Sequence, residues 1–116
     1  METKTRIKAL AKHLDCRKKE ITVSQYDDTI LEYYNEEYLV VTDDEADDLW
    51  EQDLDSYLED CIYPELTGNL KNYFDDEAWK SDARLDGRGH SLNRYDGSEY
   101  EIDLEGEETL YIYRVN

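Results

Sequence analysis

The sequence predicts a single acidic α+β domain over residues 1–116, and three observations carry that expectation. Apolar residues recur at three- and four-residue spacing over 3–15 and again over 43–61, the period of a helix with one buried face. Short runs rich in β-branched and aromatic residues flank the second of these segments on both sides. Eleven Tyr and two Trp in a chain of 116 residues supply enough bulky packing groups for one modest core.

Taken in order, Ile7, Leu10, Ala11 and Leu14 form one face of an N-terminal helix whose other face holds Lys4, Lys8 and Lys12. Glu20–Gln25, Thr29–Tyr34 and Glu37–Val41 then read as a three-stranded antiparallel meander. Its turns are expected at Tyr26-Asp27-Asp28 and Asn35-Glu36. Thr42 opens a long acidic helix. Thr42 and Glu45 have the spacing of a capping box, in which each side chain satisfies a free backbone amide of the other.

Ala46, Leu49, Trp50, Leu54, Tyr57, Leu58 and Cys61 fall on one side of that helix, and Pro64 ends it. A turn is expected at Thr67-Gly68 and a short helix over Leu70–Phe74. Asp75 is placed to cap another helix running through Trp79 to about Leu85. The C-terminal part reads as antiparallel strands at His90–Tyr95, Glu99–Leu104 and Thr109–Val115, with turns at Asp96-Gly97 and Glu105-Gly106.

Charge is the least ordinary feature of the chain. Its net charge is −18, distributed as +5 over residues 1–19, −17 over 20–70 and −6 over 71–116. Between Lys19 and Lys71 there are seventeen acids and no base, and ten of those acids lie within residues 42–61. At a rise of about 1.5 Å per residue, the helix carries one carboxylate per roughly 3 Å of axis. A single strand of B-DNA carries one phosphate per roughly 3.4 Å.

Asp44, Asp48, Asp55 and Glu59 lie opposite the apolar face, with Glu51 beside them. Five like-charge pairs occur at i, i+4: Asp43/Asp47, Asp44/Asp48, Asp47/Glu51, Glu51/Asp55 and Asp55/Glu59. Each costs roughly 0.2–0.5 kcal/mol, so together they remove about 1–2.5 kcal/mol. Such a surface repels nucleic acid and anionic membranes and attracts a basic groove. The candidate partner-binding residues are therefore Asp43, Asp44, Asp47, Asp48, Glu51, Asp55 and Glu59, joined by Asp75, Asp76 and Glu77.

No enzyme signature is present, and no catalytic residue is assigned. His13 and His90 are the only histidines, and no Ser or Cys sits in a nucleophile motif. No segment meets the spacing of an EF-hand or of a zinc site, so neither metal nor cofactor is expected. No run approaches the eighteen apolar residues of a membrane span, and no signal peptide is read at the start. Cys16 and Cys61 are expected as free thiols.

Residues 82–97, DARLDGRGHSLNRYDG, gather three Arg, His90 and three Gly. Two readings stand. Arg84, Arg88 and His90 form a secondary partner-contacting loop, or the segment is a helix end, a loop and a hairpin whose arginines pair internally with surplus acids.

From Pro64 onward the residues resemble the C-terminal part of the ArdA antirestriction family. The resemblance rests on Pro64-Glu65-Leu66, Leu70, Tyr73-Phe74-Asp75-x-Glu77-Ala78, Asp82 and the closing strand Tyr111-Ile112-Tyr113-Arg114. It covers about a third of the chain and departs from the family's pattern at Ser81 and over residues 87–97. EYLVVTDDEADDLW and DARLDGRGHSL also resemble stretches of small bacteriophage proteins.

The resemblance implies an acidic protein of a mobile element that mimics DNA. Such a protein occupies the DNA-binding groove of a type I restriction–modification enzyme; taken with the acidic surface, the expected target here is a host defence enzyme in the bacterial cytoplasm, either a restriction–modification complex or a CRISPR effector. The expected partner is that groove, with no direct nucleic-acid or membrane contact, and homodimerisation is left open. The alternative is an acidic adaptor that contacts its partner through the 82–97 loop without mimicry.

Overall fold

A computed structural model describes residues 3–66, 68 and 70–116, the side chains of Lys71 and Asn72 excepted. The chain runs α1 (Thr3–Leu14), β1 (Ile21–Val23), β2 (Ile30–Tyr33), β3 (Glu36–Thr42) and α2 (Asp43–Tyr57). There follow a π-helical turn (Leu58–Ile62), a 3₁₀ turn (Tyr63–Glu65), α3 (Leu70–Tyr73), α4 (Asp76–Arg84) and α5 (Arg88–Leu92). Strands β4 (Tyr100–Ile102) and β5 (Leu110–Arg114) close the chain. The α+β class, the N-terminal helix, the meander, the long helix, the short helices and the last two C-terminal strands stand as expected.

One five-stranded antiparallel sheet, ordered β1-β2-β3-β5-β4, joins the meander to the C-terminal pair. The hinge of this arrangement is β3, which is buried from Tyr38 to Thr42 because it is flanked by β2 and β5 and covered on both faces. Successive side chains on a strand face opposite ways, and here they divide cleanly. Tyr38, Val40, Leu110 and Ile112 pack under α1 with Ala9, Leu10, Ile21 and Leu31. Leu39, Val41 and Tyr113 pack under α2 and α5 with Ala46 and Leu92. The result is helix on sheet on helix, and the second helical layer carries the acids.

Two expectations are corrected. His90–Tyr95 is not a strand: Arg88–Leu92 forms α5, and Asn93 then turns the chain. The Asn93 side chain accepts hydrogen bonds from the amides of Tyr95 and Asp96 and donates to the Ser98 carbonyl. Gly87, at φ +89°, supplies the left-handed entry to α5, and a Cβ on Gly89 would lie 2.5 Å from the Gly97 carbonyl oxygen. The glycines that suggested a loop thus permit a short helix to lie against the following chain.

The second correction concerns Tyr57 and Cys61, both exposed rather than core. The π-helical turn holds more residues per turn than an α-helix, so the 100° periodicity that placed Cys61 no longer applies. Tyr57 instead stacks on Trp79 of α4, their rings 5.5 Å apart and nearly parallel. The turn expected at Thr67-Gly68 falls partly outside the described residues, since Thr67 lies beyond them.

Candidate partner-binding surface

The acidic helix begins where the sequence places it. The amide of Glu45 donates to the Thr42 hydroxyl (3.2 Å), and the amide of Thr42 donates to the Glu45 carboxylate (2.9 Å). Glu45 does more than cap. Arg6 of α1, itself buried, donates to both of its oxygens at 3.1 and 2.9 Å and to the Val40 carbonyl at 2.6 Å. Burial pushes the Glu45 carboxyl up, but the hydrogen bonds from Arg6 and Thr42 outweigh it and hold the group below its usual range.

Among the described residues, Arg6 is the one base of the N-terminal segment in an ion pair with α2; Lys8 pairs with Glu107 and Lys12 donates to the Asp103 carbonyl. The basic N-terminus therefore does not neutralise the outward carboxylates of the helix.

Neutralisation comes from the opposite direction in sequence. Asp43, Asp47, Glu51 and Asp55 form one i, i+4 row along α2, and cations from α4 and α5 thread through it. The Arg88 guanidinium reaches Asp43 and Asp47, each at 2.8 Å, and Glu99 at 2.6 Å, while lying over the Tyr111 ring. Lys80 sits between Glu51 (2.7 Å) and Asp55 (2.5 Å), and Arg84 donates to Glu51 at 2.6 Å.

Layering is pronounced in this row. The Arg88 and Lys80 side chains are each 10% exposed, whereas those of Asp43 and Asp47 are about 60% exposed. Burial opposes the charge on Arg88, but the bonds to Glu99, Asp43 and Asp47 outweigh it and raise its pKa. The bonds from Lys80 and Arg84 hold the Glu51 carboxyl below its usual value. Tyr113, buried in the core, donates to Glu99 from beneath and so ties the cluster to the sheet.

The remaining candidates are dispersed. Asp44, Asp48, Glu59 and Glu77 are exposed, and none has a Lys or Arg partner among the described residues. Asp75 caps α4 by accepting from the Ala78 amide at 3.1 Å, as its position predicts. Asp76 accepts from the Tyr63 hydroxyl at 2.6 Å, which fastens the start of α4 to the 3₁₀ turn beyond α2.

The three residues of the secondary loop separate. Arg84 and Arg88 are committed to α2, while His90 lies beside a cavity on another side of α4. His13, the other histidine, rests 4.6 Å from the Tyr100 ring, and burial lowers its pKa.

Sequence reasoning missed Lys80 and Glu99 as members of this surface. A signal for Lys80 existed: Lys80 and Arg84 repeat at the same four-residue interval as Glu51 and Asp55, so two antiparallel or crossed helices can match them. Nothing local flags Glu99.

Among the described residues no group of three or more His, Cys, Asp or Glu is placed to hold a metal ion, and no helix is long and apolar enough to cross a membrane. Comparison with protein-family models, with curated proteins and with solved structures gives no match.

Proposed function

We propose that the chain is a non-enzymatic inhibitor from a phage or mobile element. It presents carboxylates to the nucleic-acid-binding groove of a host DNA-targeting defence enzyme and so acts as a DNA mimic. The observation that carries this reading is the set of exposed carboxylates left after internal pairing: Asp44, Asp48, Glu59 and Glu77 carry no cation among the described residues.

Shape adds to it. The body extends 56 × 28 × 23 Å, so its net charge of −18 corresponds to one negative charge per about 3 Å of length, close to one strand of B-DNA. The resemblance of Pro64–Ala78 and of the closing strand to antirestriction proteins points the same way. The alternative, contact through the 82–97 loop, loses support because the guanidiniums of Arg84 and Arg88 already bind carboxylates of α2.

The mechanism requires competition with DNA and steep salt dependence. Affinity for a restriction–modification complex or CRISPR effector is expected to fall at least tenfold between about 50 and about 200 mM salt, with duplex DNA displacing the protein. A target that binds the protein equally at both salt concentrations, or that holds it while engaged on DNA, would remove mimicry as the mechanism.

A further inference from the structure

A cavity of about 510 Å³ opens on the side of α4 away from its cations. Asp53 of α2 lines one side and Asp82 and Asp86 of α4 and its C-terminal turn line the other, while the stacked rings of Tyr57 and Trp79 bridge the two helices, with His90 beside them. The volume lies within the roughly 300–1,000 Å³ of ordinary ligand pockets. Among the described residues its lining combines a stacked aromatic pair, Tyr57 on Trp79, with three carboxylates and neither Lys nor Arg.

That composition is not a by-product of an acidic chain, because α4 carries cations and turns them elsewhere: Lys80 and Arg84 both face the acid row of α2. The two carboxylates that α4 does contribute sit at an unfavourable place. Asp82 lies in the last turn of α4 (Asp76–Arg84) and Asp86 just beyond it, at the negative end of the helix dipole. A cation entering the cavity removes that penalty, and the partly apolar walls strengthen its attraction to the carboxylates. Anions are excluded by the same field.

The shape of the favoured cation follows from the groups present. A guanidinium is planar, stacks on aromatic faces, is weakly hydrated and offers paired donors to a carboxylate. An ammonium meets the carboxylates as a point charge and gains less from a flat ring. We infer that this cavity is a receptor for an arginine side chain of the basic partner, held between the Trp79–Tyr57 ring pair and the carboxylates of Asp53, Asp82 and Asp86. The inference rests on the proposed function for the existence of that partner, but the cavity's chemistry can be measured without it.

The probe is a capped Gly-Arg-Gly peptide titrated into the full chain while the ring resonances of Trp79 and Tyr57 are followed by NMR. Its lysine and citrulline counterparts serve as comparisons. Saturable shifts at those two rings are expected, with a Kd on the order of 1 mM for so small a ligand. The lysine peptide should bind several-fold more weakly, and the uncharged citrulline peptide should give no saturable shift.

Asp82→Asn with Asp86→Asn should weaken arginine binding at least tenfold. Asp44→Asn with Asp48→Asn removes the same charge elsewhere and should change it less than twofold. Both pairs lie on exposed positions, so a retained circular-dichroism melt separates loss of binding from loss of fold. Equal response to citrulline, equal loss in both variant pairs, or no saturable shift would overturn the inference.

Failure of the two readings is distinguishable. Arginine binding without any effect on a DNA-targeting enzyme leaves the cavity and removes mimicry. Inhibition of such an enzyme that is indifferent to the Asp82 and Asp86 changes leaves mimicry and removes the cavity as its anchor.

Discussion

Helix α4 meets α2 with opposite chemistry on its two sides. On one side Lys80 and Arg84 enter a row of carboxylates, Glu51 and Asp55, and Arg88 continues the same pattern toward Asp43 and Asp47. On the other side Asp82 and Asp86 lie with Asp53 around an open cavity beside the stacked Trp79 and Tyr57 rings, lined by neither Lys nor Arg among the described residues. A carboxylate in the first setting belongs to the fold, because it satisfies a cation that has already left water. A carboxylate in the second setting, or exposed like Asp44 and Asp48, leaves its charge available to something outside the molecule. Acid count alone does not separate the two; the position of the cations does.

The comparison can be broken most severely at Arg88. Replacing it by Met keeps much of its volume but removes its bonds to Asp43, Asp47 and Glu99 and its stacking on Tyr111. The expected loss is about 2–3 kcal/mol in urea unfolding. That is below the roughly 3–5 kcal/mol of a fully buried broken pair, because the exposed partner carboxylates can rehydrate. An unchanged midpoint would mean that the row is decoration.

Lys80→Met follows with a smaller effect, about 1–2 kcal/mol, since one ammonium bridges two half-exposed carboxylates. Restoring most of that loss by adding Asp55→Asn to Lys80→Met would locate the penalty in the freed like charges of the row. No restoration would locate it in lost packing.

Acid sharpens the contrast further. The bonds from Lys80 and Arg84 depress the Glu51 pKa, so its contribution is fully present above the ordinary glutamate value of 4.5 and is lost as pH falls through the lower folded value. The wild type should exceed Glu51→Gln in stability by under about 1 kcal/mol at pH 7, and the two should converge as pH falls below that lower folded value. A gap that stays constant across that range would assign the difference to something other than the charged bond.

Much of the fold was legible because it follows from local rules. The Thr42–Glu45 box and the Asp75 cap each depend on residues close in sequence, and each stands in the structure. Helix α5 was not legible: GRGHSL has no helical apolar face, and its five residues are held by Asn93, by the close approach of Gly89 to Gly97 and by Arg88. Cys61 was misplaced because an α-helical period cannot anticipate a π-helical turn.

Within the candidate surface, like-charge pairs at i, i+4 were visible, but the rule that exposed them is confined to one helix. The cations that offset them lie 25 to 45 residues away in sequence. The like-charge cost estimated from sequence therefore holds for Asp44/Asp48, and is largely cancelled for Asp43/Asp47 and Glu51/Asp55. The reading of 82–97 as a helix end whose arginines pair internally describes Arg84 and Arg88 well.

The division of carboxylates into a structural row and an available set is tested most directly by two triple variants of equal charge change, compared by urea unfolding. Asp43→Asn, Asp47→Asn and Glu51→Gln together should lower stability by about 2–3 kcal/mol, because Arg88, Lys80 and Arg84 lose charged partners. Asp44→Asn, Asp48→Asn and Glu59→Gln together should leave stability unchanged or raise it by roughly 0.2–0.5 kcal/mol, through relief of the Asp44/Asp48 repulsion. Equal losses in the two triples, or a larger loss in the second, would contradict the account.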